Sequence, residues 1–208
     1  MIHRLSNLNF RLRNRTDELN LYLVANNRKP ATRISIERES FEPFCRFMEI
    51  SPFLWSADDF TPQEVGFNIA KERRSLDDLR RAQTSQEVGR ALGFPEEAIR
   101  DFCLVINGER RDASYFFVSL AKAKQHGVVI PSWMAYISFI PEQLDIVGGN
   151  MSQTSKALGE TYREFVRDTE PDLARRVELS FSDLKLPISW EKRPVDLSYK
   201  LNFGKYLR

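Results

Sequence analysis

The run Ala91-Leu92-Gly93-Phe94-Pro95-Glu96-Glu97-Ala98-Ile99 narrows most sharply what this chain can fold into. Glycine accepts the left-handed backbone that ends a helix, and proline fits the first turn of the next one. Gly93 and Pro95 therefore mark a helix stop followed at once by a helix start. Glu96 and Glu97 put negative charge at the positive end of the new helix dipole. Gly93 is expected at positive φ, and Gly93→Ala should then cost about 1 kcal/mol or somewhat more.

Helical patterning extends on both sides of this joint. Ser75 and Asp78 read as a cap and an acidic first turn, with Leu76 and Leu79 facing inward. Ser85 reads as the cap of a short helix ending at Gly93. Ala98, Ile99, Phe102, Val105 and Ile106 form the apolar stripe of the helix that Pro95 opens. A further helix from about Asp112 to Gln125, with Leu120 and Ala123 inward, stops at Gly127. The apolar residues 128–140 suit a buried helix or a strand equally, and Gly148-Gly149-Asn150 is a breaker. Beyond it, Ala157, Leu158, Thr161, Tyr162, Phe165 and Val166 recur at helical spacing, and Pro171 opens a last helix with Leu173, Ala174 and Val177 inward.

The N-terminal third reads differently. Leu19–Ala25 and Thr32–Glu37 look like two strands around the turn formers Asn26-Asn27-Arg28-Lys29-Pro30. In the second, Ile34 and Ile36 alternate with Arg33, Ser35 and Glu37, which predicts one buried face and one wet face. Val65, Phe67 and Ile69 alternate in the same way and predict a third strand, against a competing helix start at Thr61-Pro62. Residues 38–62, rich in Phe and broken by Pro43, Pro52 and Pro62, predict a packed, irregular connection. The expected class is α+β: a small antiparallel sheet from the N-terminal third packed against a helical layer. The expected organisation is one domain over residues 1–180, with 181–208 as a C-terminal extension.

At 208 residues and 42% hydrophobic, the chain can bury a sizeable core. Its +2 net charge gives no global field that would mark a nucleic-acid or membrane binder. No apolar run is long enough to span a bilayer and no apolar signal core follows Met1, so a cytoplasmic protein is expected. Cys45 and Cys103 read as two buried, unpaired thiols. With only His3 and His126 besides, no metal ligand set forms, and no metal or cofactor is expected.

Three stretches resemble an uncharacterised, mainly archaeal domain-of-unknown-function family. Leu21-Tyr22-Leu23-Val24 with Lys29-Pro30-Ala31-Thr32-Arg33-Ile34 resembles its opening hairpin. Leu92-Gly93-Phe94-Pro95 resembles its Leu-Gly-aromatic-Pro motif, which in the family is followed by paired cysteines. Phe139-Ile140-Pro141, ahead of Leu158-Gly159, resembles a later segment that also carries cysteines in the family. The resemblance covers roughly residues 19–180 and implies no established activity. The cysteines are missing: Glu97 and Ala98 stand at the first place and Glu142 at the second.

Two sets of side chains are candidate binding residues. Arg11, Arg13, Arg15, Arg28, Lys29 and Arg33 are the densest basic set and would suit phosphate contact, although Glu18, Glu37 and Glu39 beside them favour an ordinary solvated face. Glu97 and Glu142 stand at the motif positions, where a carboxylate could serve acid–base chemistry or a cation, or merely compensate a helix dipole. Gly148-Gly149-Asn150 ahead of Ser152 could receive an anion, but it lacks the Walker and dinucleotide patterns. No catalytic residue stands out. The expected function is a non-catalytic binding or accessory protein with a protein partner. The alternatives are a nucleic-acid-associated protein using a basic N-terminal hairpin and, third, a carboxylate-metal enzyme.

Overall fold

A computed structural model describes Leu12, residues 16–106, Leu120, residues 122–139 and residues 144–182. The chain is α+β, and its described residues divide into two compact units, the first ending at Gly93 and the second beginning at Phe94. Most of the C-terminal extension, from residue 183 onward, lies outside the described residues.

The first unit is built on a three-stranded antiparallel sheet, β1 (Ala31–Glu37), β2 (Leu54–Phe60) and β3 (Glu64–Ala70), in the order β1-β3-β2. The expected strands at Thr32–Glu37 and Val65–Ile69 are both present and pair with each other, Ile34 opposite Phe67. Ahead of them the expectation fails: Leu19–Ala25 is not a strand but most of helix α1 (Asp17–Ala25). Asp17 and Glu18 favour its N-terminal dipole, and Leu19, Leu21, Leu23 and Val24 are all fully buried. A short helix that is apolar all round has no polar face to reveal its period, so it mimics a strand. Asn27, at φ 56°, ends it in the left-handed region that asparagine tolerates.

Residues 38–62 are likewise more regular than expected. They hold α2 (Phe41–Glu49) and β2. Pro43 sits in the first turn of α2, where no backbone N–H is required, and Pro62 sits in the β2–β3 turn. The aromatic residues close one face of the sheet: Phe44 lies 4.5 Å and Trp55 5.7 Å from Phe67, ring centre to ring centre. At one end of the opposite face, Leu76 and Leu79 of α3 (Arg73–Arg81) pack with Ala31 and Ala70, as does Val88 of α4 (Ser85–Ala91). Two caps differ from expectation. Ser75 lies inside α3, and α4 is capped by Thr84 rather than Ser85, with Glu87 completing a capping box.

Gly93 has φ +74°, as its sequence context predicts, and its amide donates to the Arg90 carbonyl at 2.9 Å. A Cβ here would stand 2.7 Å from Pro30 Cδ and 3.1 Å from Pro30 Cγ. The left-handed backbone penalty and the overlap with a closed ring add, so Gly93→Ala is expected to lower stability by about 2 kcal/mol, more than sequence alone suggests. Urea unfolding of the full chain checks this.

The second unit contains α5 (Glu96–Ile106), with Ala98 and Ile99 buried as expected. Residues 122–125 are helical, with Leu120 and Ala123 buried, while residues 107–119 lie outside the described set. Within the ambiguous apolar stretch the described residues hold a short 3-10 helix, Ser132–Tyr136, rather than a strand, with Trp133, Met134, Ala135 and Tyr136 buried. A two-strand ribbon, β4 (Leu144–Asp145) with β5 (Asn150–Met151), precedes α6 (Gln153–Thr169) and α7 (Pro171–Ser182). The buried face of α6 is Ser155, Gly159, Tyr162 and Val166; the expected Ala157 and Thr161 are exposed. Gly159 sets that rotation, since its backbone lies directly against Trp133.

Candidate functional site

The most developed polar site in the first unit lies on the sheet face that α3 only partly covers. Register fixes its layout. Ala31, Ala70 and Leu54 form one cross-strand row, Arg33, Asn68 and Ser56 the next, and Ser35, Gly66 and Asp58 the third. Strand alternation brings all nine positions to one face. The first row is apolar and two of its members meet α3; the second and third rows are almost wholly polar. Sequence alternation predicts this face of β1 to be wet. Instead Ser35 and Asn68 are only 4% and 2% exposed.

One ion pair organises the rows. Arg33 Nη2 donates to Asp58 Oδ2, and Asn68 Nδ2 donates to the same oxygen at 3.0 Å. This fixes the Asn68 amide, because the flipped orientation would set its carbonyl oxygen against a carboxylate. Asn68 Oδ1 and Ser56 Oγ are then buried without a hydrogen-bond partner among the described residues. Each such atom costs about 1–3 kcal/mol, so two on adjacent strands make a feature that packing alone does not favour. The Asp58 side chain on β2 is the more exposed member of the ion pair, 42% against 16% for Arg33 on β1, so the site opens on the β2 side.

A second polar cluster sits at the start of β1. Lys29 is 6% exposed, and its ammonium donates to Asn20 Oδ1 at 2.9 Å, with Asp17 also buried. Burial pushes the amine from 10.5 down to about 7, and the Asp17 charge opposes the shift. This cluster ties α1 to the strand that follows it.

Of the residues expected from sequence to form a site, Arg28, Lys29, Arg33 and Glu97 are described. Arg11, Arg13, Arg15 and Glu142 lie outside the described residues. Arg28 is exposed, Lys29 is turned inward, and Arg33 is paired with Asp58, so neither of the last two offers its charge to a phosphate. The arm preceding β1 is helix α1, so residues 19–37 do not form the expected strand hairpin around Arg28 and Lys29. Glu97 is exposed in the first turn of α5. Ser152 caps α6 through its hydroxyl, which accepts from the Ser155 amide at 3.0 Å. Cys45 and Cys103 are unpaired, but partly exposed rather than buried. Burial, with Glu49 and Glu42 adding, raises the Cys45 thiol above its ordinary range, which disfavours the reactive thiolate. Among the described residues no group of three His, Cys, Asp or Glu could hold a metal ion, and no helix is long and apolar enough to cross a membrane.

Sequence reasoning treated Arg33 as a surface cation and passed over Asn68, Ser56 and Asp58. The available signal was Asn68 itself, a polar residue between Phe67 and Ile69 in a strand of buried character. No family model, no curated protein and no solved structure matches this chain.

Proposed function

We propose that this chain is a non-catalytic, cytosolic binding protein that takes an amide group of a protein partner on the polar face of its sheet. The observation that carries this is the pair of unspent buried atoms, Asn68 Oδ1 and Ser56 Oγ, on neighbouring strands beside a fixed ion pair. Asn68 Oδ1 can only accept, while the Ser56 hydroxyl can give or take. An amide carries a donor and an acceptor side by side and matches both, whether it comes from a partner's backbone or from an Asn or Gln side chain. The Asp58 oxygen facing this pair already accepts from Arg33 and Asn68, so it serves as a fixed wall rather than a free general base. Two unpaired, partly exposed thiols fit a reducing compartment.

Acetamide is the simplest probe. Titrated into the ¹⁵N-labelled chain, it is expected to shift the Asn68 side-chain amide resonances saturably and to raise thermal stability with concentration. If acetamide leaves those resonances unmoved, the reading is wrong.

A further inference from the structure

We infer that Arg163 and the indole N–H of Trp133 form a carboxylate-binding site in the second unit. Two arginines stand one turn apart on α6 and are used differently. Arg167 is spent: its Nε and Nη2 both donate to Glu178 Oε1, at 2.9 and 2.8 Å, and the Tyr136 hydroxyl donates to that oxygen at 2.9 Å. Arg163 pairs with no carboxylate among the described residues. Its Nη1 donates to Ser132 Oγ at 2.8 Å, which anchors the guanidinium at the start of the 3-10 turn.

That anchor leaves the other edge of the guanidinium unspent. Arg163 Nε is buried without a partner, and it shares with Nη2 the two-donor edge that fits a carboxylate bidentately. The residue next to Ser132 is Trp133, 2% exposed, whose Nε1 is likewise buried and unpartnered. Both side chains link the same two elements, Arg163 reaching from α6 to Ser132 and Trp133 from the 3-10 turn to Gly159. Gly159, one turn before Arg163 on α6, lies so close to Trp133 that a Cβ there would be 2.8 Å from the indole Cε3. Two unsatisfied N–H donors and one uncompensated cation, all rigidly supported, define an acceptor that is planar and anionic. This site is independent of the sheet-face reading, which concerns the first unit.

The test uses the full ¹⁵N-labelled chain and its indole N–H resonances, with the Trp133 signal assigned by Trp133→Phe or, should that variant not fold, by removing the signals of Trp55→Phe and Trp190→Phe. Acetate is expected to move the Trp133 indole resonance downfield and saturably, while chloride at equal ionic strength leaves it in place. Arg163→Lys keeps the charge but loses the fork, and should weaken acetate binding about tenfold while leaving the fold intact. A response to inorganic phosphate without one to acetate would overturn the assignment to a carboxylate. So would acetate binding that Arg163→Lys leaves unchanged, or an indole resonance that no anion moves.

Discussion

Gly159→Ala is expected to destabilise the second unit by about 2 kcal/mol, although the same change in an open helix would add about 1 kcal/mol through helix propensity. The sign is decided by what the new methyl meets. Its position is 2.7 Å from the Trp133 carbonyl oxygen, 2.8 Å from Trp133 Cε3 and 3.3 Å from Ile137 Cγ2. None of these is the free end of a flexible chain: one is backbone, one belongs to a buried indole, and Ile137 is itself buried. Either α6 moves away from the 3-10 turn or the turn deforms, and both routes loosen the packing of Trp133. A lower urea midpoint in Gly159→Ala checks this, while an unchanged or raised midpoint would show that α6 and Trp133 are not in contact.

Lys29 should give the fold a distinctive pH dependence. Its amine titrates near 7 when folded and near 10.5 when unfolded, so between those values the unfolded chain holds the extra proton. Stability contributed by this group therefore rises as pH increases from about 7 toward 10.5. Below 7 both states are protonated and its contribution levels off at its least favourable value. Other groups titrate in the same range, so the comparison to make is native protein against Lys29→Met. Between pH 6.5 and pH 9 the stability difference should move in favour of the native chain by on the order of 2 kcal/mol. Urea unfolding of both proteins at the two pH values reads that change directly. A difference that stays constant would place the Lys29 amine in contact with solvent.

The parts of this fold legible in the sequence are those where one local signal acts without competition. Alternating Ile34 and Ile36, and Val65, Phe67 and Ile69, gave two strands their type because β-branched and aromatic residues alternate there with smaller or polar ones. Gly93 announced a positive φ, and Leu173, Ala174 and Val177 announced the inner face of α7. The misses have a shared cause, in that tertiary context decided what local pattern left open. Leu19–Val24 is buried on every side, which erases helical periodicity, and Pro43 looks like a breaker until it is known to occupy a first turn. On α6 the inward face is set by the close approach of Gly159 to Trp133, which residue hydrophobicity cannot express.

The candidate site was less legible still. Arg33 was visible as a charge, but its pairing with Asp58 depends on the β1-β3-β2 strand order and on register across three strands. Lys29 lies among turn-forming residues, where a lysine ordinarily points to water, and nothing in its neighbours signals burial. Ser56 and Asn68 became informative only once each was seen to be buried with an unspent atom.

Binding on the polar sheet face is tested most directly by running the acetamide titration on the native chain and on Ser56→Ala together. Ser56 Oγ has no partner among the described residues, so its removal is expected to leave stability unchanged or slightly raised. The predicted result is a Ser56→Ala protein at least as stable as the native one, whose Asn68 resonances respond to acetamide only at much higher concentration. A variant that binds acetamide as the native chain does, or that loses stability because Ser56 was structural, would contradict the account.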